Sequence, residues 1–195
     1  MPSQPRSELR DPRLIQIHHT WSRCVRRAWL FGKDPHTGQD HSHRPEIIEK
    51  LLEHQASLMA IDLANFHLMV NHLHEMLRSR PDLAAQWTDE ECVWRYKMLW
   101  PRYEDGKWKC SPTDEAIEAE LEKGPERIAE IRQHLSDISC WEGRLKQSLS
   151  WLFNREEGQR GALWETRFSN RWVDDPEQDR PPAECVLVCS MYLDL

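Results

Sequence analysis

Asn71-His72-Leu73-His74 is the densest chemical signal in the chain. Two imidazoles two residues apart face the same way on an extended backbone, because side chains along a strand alternate. A strand carrying them would aim both rings at one divalent cation from a rigid support. Leu73 would then point into the opposite layer and hold the strand down. Two unrelated histidines on a half-buried strand satisfy the same pattern, so the spacing alone leaves a metal pair and a structural pair both open. The metallo-hydrolase version of the motif adds an Asp-His pair just downstream. Here Glu75-Met76-Leu77-Arg78 follows, and a hydrolase using the pair would need a third His or Asp from elsewhere. A second pair, His41 and His43, brackets Ser42 in an expected loop and reads as two solvated side chains.

The chain has three tyrosines. Tyr96 falls on the apolar stripe of an expected helix and Tyr103 in a proline-containing loop, and both read as structural. Tyr192 falls on an expected terminal helix, where a phenol is ordinarily half-buried packing. Beside a cation its oxygen can instead attack a polarised phosphodiester and form a covalent intermediate. Arg23, Arg26, Arg27, Arg167 and Arg171 are candidates to neutralise phosphates, against the alternative of a solvated strand face. Cys185 and Cys189 stand one helical turn apart and read as buried thiols rather than a soft-metal site.

The elements that must position these groups follow from periodicity and punctuation. Residues 17–31 read as a strand, 32–43 as a loop with Gly32, Pro35 and Gly38, and Pro45 as the opening of a helix. Residues 59–70 and 72–77 read as a strand pair turning near Met69–Asn71. Thr88-Asp-Glu-Glu91 is a capping box for a helix to about Leu99, and 101–112 reads as a loop. Thr113 caps a short acidic helix ending at Gly124, Pro125 opens another, and Asp137 to Arg155 reads as a long amphipathic helix. Residues 163–173 read as a strand with Trp164, Phe168 and Trp172 on one face and Glu165, Arg167, Ser169 and Arg171 on the other. Residues 174–182 read as a loop and 183–195 as a helix. The order of elements predicts an α+β sandwich.

A chain of 195 residues, 39% hydrophobic, favours one domain with a substantial core. Most of the ten tryptophans are expected in that core. Six cysteines without a CxxC pair argue against a zinc ribbon and fit free thiols in a reducing cytoplasm. No apolar run suggests a signal peptide or a bilayer span, so no membrane partner is expected. The net charge is −7, unevenly spread. Residues 1–33 carry seven basic and two acidic side chains, whereas 104–130 carry four and nine, and 174–195 one and six. An acidic total is compatible with DNA binding if one face stays basic.

Taken together, Trp21-Ser-Arg-Cys-Val-Arg-Arg-Ala-Trp-Leu-Phe-Gly32, Ile61-Asp62, Met69-Val-Asn-His-Leu-His74, Leu163-Trp-Glu-Thr-Arg-Phe168 and Met191-Tyr-Leu-Asp-Leu195 resemble the REP-associated tyrosine transposases. These belong to the single-tyrosine class of HUH (His-hydrophobic-His) enzymes, which are similar to the insertion-sequence-200 transposases. The resemblance implies a ferredoxin-like antiparallel sheet flanked by helices. It implies one domain over residues 13–195, with 104–135 as a helical insertion and 1–12 as a flexible tail. It implies Mg or Mn at His72 and His74, Tyr192 as nucleophile, and the arginines above on DNA. The implied activity is cutting and rejoining of single-stranded, hairpin-flanked DNA through a 5′-phosphotyrosine, by a monomer or homodimer. The family motif continues Tyr-x-x-x-Asn-Pro, and this sequence stops at Leu195, one position short of the polar residue that completes the metal shell. Impaired cleavage is therefore expected, and the alternative is a silent remnant that binds single-stranded or hairpin DNA.

Overall fold

The computed structural model describes residues 13–25, 29–35, 37–100, 102–104, 107–109 and 111–173, with 102–104 and 107–109 described as backbone only. Four strands form one antiparallel sheet: β1 (Ile17–Arg23), β2 (Ile61–Met69), β3 (His72–Ser79) and β6 (Ser169–Trp172). Their order is β2-β3-β1-β6. Helix α1 (Arg44–Leu58) joins β1 to β2, and β3 returns between them as an antiparallel neighbour of both. This is a split β-α-β unit, with β6 added outside β1, and the ferredoxin-like expectation is compatible with it. The fold is α+β.

Local chemistry accounts for the helix ends. A proline in the first turn opens α1. The Thr88 hydroxyl accepts from the Glu91 amide to start α3 (Asp89–Leu99), after the single turn α2 (Pro81–Ala84). Thr113 does the same for α4 (Asp114–Leu121) with the Ala116 amide, and Asp137 for α6 (Ile138–Glu156) with Ser139. Gly124 stands at φ +95°, which a side-chain-bearing residue rarely adopts, and it turns the chain into α5 (Pro125–Leu135). One apolar core draws on most of these elements, including Leu73 and Leu77 of β3, Ile48 and Leu52 of α1, Ile131 and Leu135 of α5, and Leu145, Leu149 and Phe153 of α6.

Four expectations change here, and a fifth, at His41, below. Residues 101–112 hold a small antiparallel pair, β4 (Arg102–Glu104) and β5 (Lys107–Lys109), rather than a loop alone. Strand β1 stops at Arg23 rather than running to residue 31; the Cys24 amide still bonds the Asn71 carbonyl in the β1–β3 register, and Cys24 then bridges Trp164 outside the strand. The strand expected over 163–173 reduces to a Cys24–Trp164 bridge and then β6. Between them Lys146 on α6 takes the Thr166 carbonyl at 2.8 Å and pulls the chain out of the sheet. Finally, among the described tryptophans whose side chains are placed, only Trp141 and Trp164 are buried. The others keep an edge in solvent, and arginines cover several of them: Arg95 over Trp87 at 4.1 Å and Arg155 over Trp151 at 5.2 Å. Residues 174–195 lie outside the described residues, so the loop and helix expected there are not placed.

Two buried polar clusters tie the helices down. Arg44 is fully buried, donating to the Trp29 carbonyl at 2.9 Å, to Glu156 at 3.2 Å and to Glu157 at 2.6 Å, with its guanidinium 4.3 Å from the Phe153 ring centroid. His41 sits in the same cluster, its ring nitrogens 3.8 Å and 4.0 Å from those carboxylates. It is 5% exposed, so the solvated reading fails for it. His43 is the exposed member of the pair. The second cluster lies beneath the sheet. Glu75 of β3 accepts from the Trp141 indole at 2.8 Å, and Glu142 adjoins it with the Ser22 hydroxyl at 3.5 Å. Burial, then the facing Glu142 carboxyl, push Glu75 well above the usual carboxylate range, and burial raises Glu142 too although Thr20, Lys146 and Ser22 oppose it.

Arg44→Ala leaves Glu156 and Glu157 facing a hole, and a destabilisation of about 3 kcal/mol in urea unfolding is expected, tempered by the partial exposure of both carboxylates. Arg44→Lys recovers little, since an ammonium cannot serve three divergent acceptors from one plane. The carboxyl pair predicts a pH dependence. The folded state keeps protons that the unfolded chain releases near ~4.3. Its contribution is fully present below that value and is lost as pH rises through the raised folded values. Glu75→Gln should therefore flatten the decline in melting temperature between acidic and mildly alkaline pH; an unchanged decline would remove the carboxyl pair as its cause.

Candidate metal and nucleic-acid face

Strand pairing decides which side chains share a face. On β3, Leu73, Glu75 and Leu77 point toward α1 and α6, so His72, His74 and Met76 point to the other side. Antiparallel register places Arg23 opposite His72, Trp21 opposite His74 and His19 opposite Met76. From β2, His67 lies opposite His74 and Met69 opposite His72. From β6, Arg171 lies opposite His19 and Ser169 opposite Trp21. The face away from the helices thus gathers four histidines, a tryptophan and two arginines across adjacent strands.

The His72 and His74 ring centroids are 6.1 Å apart with 45° between their planes. That spacing lets both rings approach one cation. His72 Nδ1 is buried and has no hydrogen-bond partner, the kind of orphaned nitrogen that a bound cation would satisfy. Burial lowers the pKa of His72, with Arg23 adding to the effect and Glu165 opposing it. Burial lowers that of His74 as well, helped by His72 and His67. Both shifts favour the neutral imidazole, the form that ligates. The pair therefore fits a divalent cation, with oxygen donors required from elsewhere. Among the described residues no group of three or more His, Cys, Asp or Glu side chains converges into a complete metal shell.

His19 was not visible as a site residue from the motif. Its Nε2 lies 3.0 Å from His74 Nδ1, and the two rings stack at 5.2 Å. Burial, then His74 and Arg171, push His19 down to about 4. Trp21 closes the cluster, 5.3 Å from the His19 ring and 6.4 Å from that of His74. The available signal was parity: His19 and Trp21 share odd positions with Arg23 on a strand that must pair with the histidine strand.

Of the five arginines proposed for DNA, Arg23 and Arg171 stand on this face, both exposed. Arg167 is exposed on the bend before β6. Arg26, Arg27 and Tyr192 lie outside the described residues. A groove of about 620 Å³ lies elsewhere, between α2 and α5 and lined by Pro81, Ala85, Ile128 and Arg132, and it shares none of these groups. Among the described residues no helix is long and apolar enough to cross a membrane. Compared with known proteins, the chain matches no protein-family model and no curated protein.

Proposed function

We propose that the chain is a metal-dependent transposase-type nuclease that cuts and rejoins single-stranded, hairpin-flanked DNA. The observation that carries this reading is the projection of His72 and His74 from one face of a central strand, flanked on that face by Arg23 and Arg171. His72 and His74 would hold Mg or Mn, which when bound polarises the scissile phosphate and supplies positive charge against the developing negative charge. Phosphate oxygens of the DNA would supply the hard donors that two imidazoles lack. Arg23 and Arg171 sit where they would neutralise backbone phosphates on either side, and Trp21 offers a ring against which a base can stack. Tyr192 is the proposed nucleophile, on the strength of the family resemblance. Its oxygen would bond to phosphorus as the P–O3′ bond breaks; the phenol loses its proton, and the departing oxygen gains one to become the 3′-hydroxyl. With a phenol pKa near ~10, little phenolate exists at neutral pH, so a cation held by the histidine pair would assist the attack.

The test is incubation of the full chain with end-labelled hairpin DNA and Mn, read as a covalent adduct on a denaturing gel. Tyr192→Phe should abolish the adduct while hairpin affinity stays within about twofold. His72→Ala with His74→Ala should abolish it without altering the circular dichroism spectrum. DNA binding without any adduct would favour a binding remnant, and an adduct in Tyr192→Phe would move the nucleophile elsewhere.

Charge reversal of Arg23 and Arg171 should weaken single-strand binding across all sequences. The log-log salt slope should fall by about 0.7 for each phosphate that is no longer neutralised. An unchanged slope would make both arginines plain surface.

A further inference from the structure

A histidine ligates a metal through a ring nitrogen that carries no proton, so its tautomer decides which nitrogen serves. At His74 that choice is constrained by a neighbour. His74 Nδ1 lies 3.0 Å from His19 Nε2. Two ring nitrogens at this distance share one proton: two lone pairs would repel, and two N–H groups would collide. If the proton sat on His19 Nε2, His74 would accept at Nδ1 and carry its own proton on Nε2, leaving neither nitrogen for a cation. If it sits on His74 Nδ1, the lone pair of that ring is on Nε2.

We propose that His19 is a positioning residue that accepts the His74 Nδ1 proton and thereby presents His74 Nε2 to the divalent cation. This rests on the reading of His72 and His74 as metal ligands. The fold supplies the geometry. His19 is paired with Met76, so it is the diagonal neighbour of His74 on the same face, within reach of a long side chain. The two rings lie 5.2 Å apart and 27° from parallel. Trp21, at 5.3 Å from the His19 ring, limits its swing. His19 must in turn carry its own proton on Nδ1. The interaction is the histidine counterpart of the carbonyl or carboxylate that commonly orients a ligating imidazole.

The full chain without metal gives the first test, by two-bond ¹H–¹⁵N spectra of the imidazoles. His74 and His19 should both appear as Nδ1–H tautomers, and a His74 Nε2–H tautomer would overturn the proposal. The second test titrates Mn alone, following free Mn by electron paramagnetic resonance. His19→Ala should weaken Mn binding by about tenfold or more, and His19→Gln, whose amide oxygen can accept the same proton, should recover most of it. Equal affinity of His19→Ala and the parent, with binding abolished in His72→Ala, would overturn the role of His19 and leave the metal reading intact. No Mn binding by the parent would overturn the metal reading and the proposal with it. Should His19→Ala fail to fold, the tautomer spectra and His19→Gln decide the matter alone.

Discussion

The antiparallel pairing of Ile17–Arg23 with His72–Ser79 is the constraint on which the rest of the structure depends. It joins the two central strands, and its register assigns every side chain on both to one of two faces. Odd positions of β1 and even positions of β3 meet on one side as His19, Trp21, Arg23, His72, His74 and Met76. The remaining positions, among them His18, Thr20, Ser22, Leu73, Glu75 and Leu77, are buried on the other. A slip of one residue would put Leu73 and Leu77 in the histidine cluster and His74 against the helices. The apolar demand of the core thus enforces the geometry of the polar face.

The buried side is unusual for its polarity. Glu75 lies under the centre of the sheet with Glu142; the Trp141 indole donates to Glu75, and burial pushes both carboxyls toward the neutral form, which costs less to bury. Gln55 of α1 reaches the Trp141 carbonyl at 2.8 Å, so one tryptophan is tied to both the sheet and the first helix. Arg44 performs a related task at the far end of α6, binding two carboxylates and a carbonyl from the loop before α1. Such contacts contribute little net energy over apolar packing, but each has one satisfied geometry. They hold α1 and α6 in place beneath the sheet, and hence hold β3 in place above them. The order of the polar face thus depends on polar contacts on the face below it.

Much of the local structure was legible in the residues. Thr88, Thr113 and Asp137 announce helix starts because a side-chain oxygen can satisfy a first-turn amide without help from the rest of the fold. The β2–β3 hairpin and the common face of His72 and His74 follow from alternation alone. The errors share a cause: each depended on something distant in sequence. Most tryptophans are expected in the core, yet Trp94, Trp100 and Trp151 are exposed, because a half-covered indole differs from a buried one only in what folds over it. His41 looked solvated until α6 brought Glu156 and Glu157 against it. The strand expected from 163 breaks because Lys146, 20 residues earlier, takes the Thr166 carbonyl.

By itself, then, the sequence determined the order and type of most elements, the α+β class and the shared face of one histidine pair. Periodicity and capping are properties of neighbours along the chain, and neighbours suffice to read them. Only the tertiary structure decided what stands beside that pair. His19 reaches His74 across 55 positions, and Arg171 stands beside His19 from the far end of the described chain, through the registers of β1 with β3 and with β6. Alternation along one strand tells which side chains share a face, but which distant strand lies alongside, and in what register, is set by the faces buried against the helices.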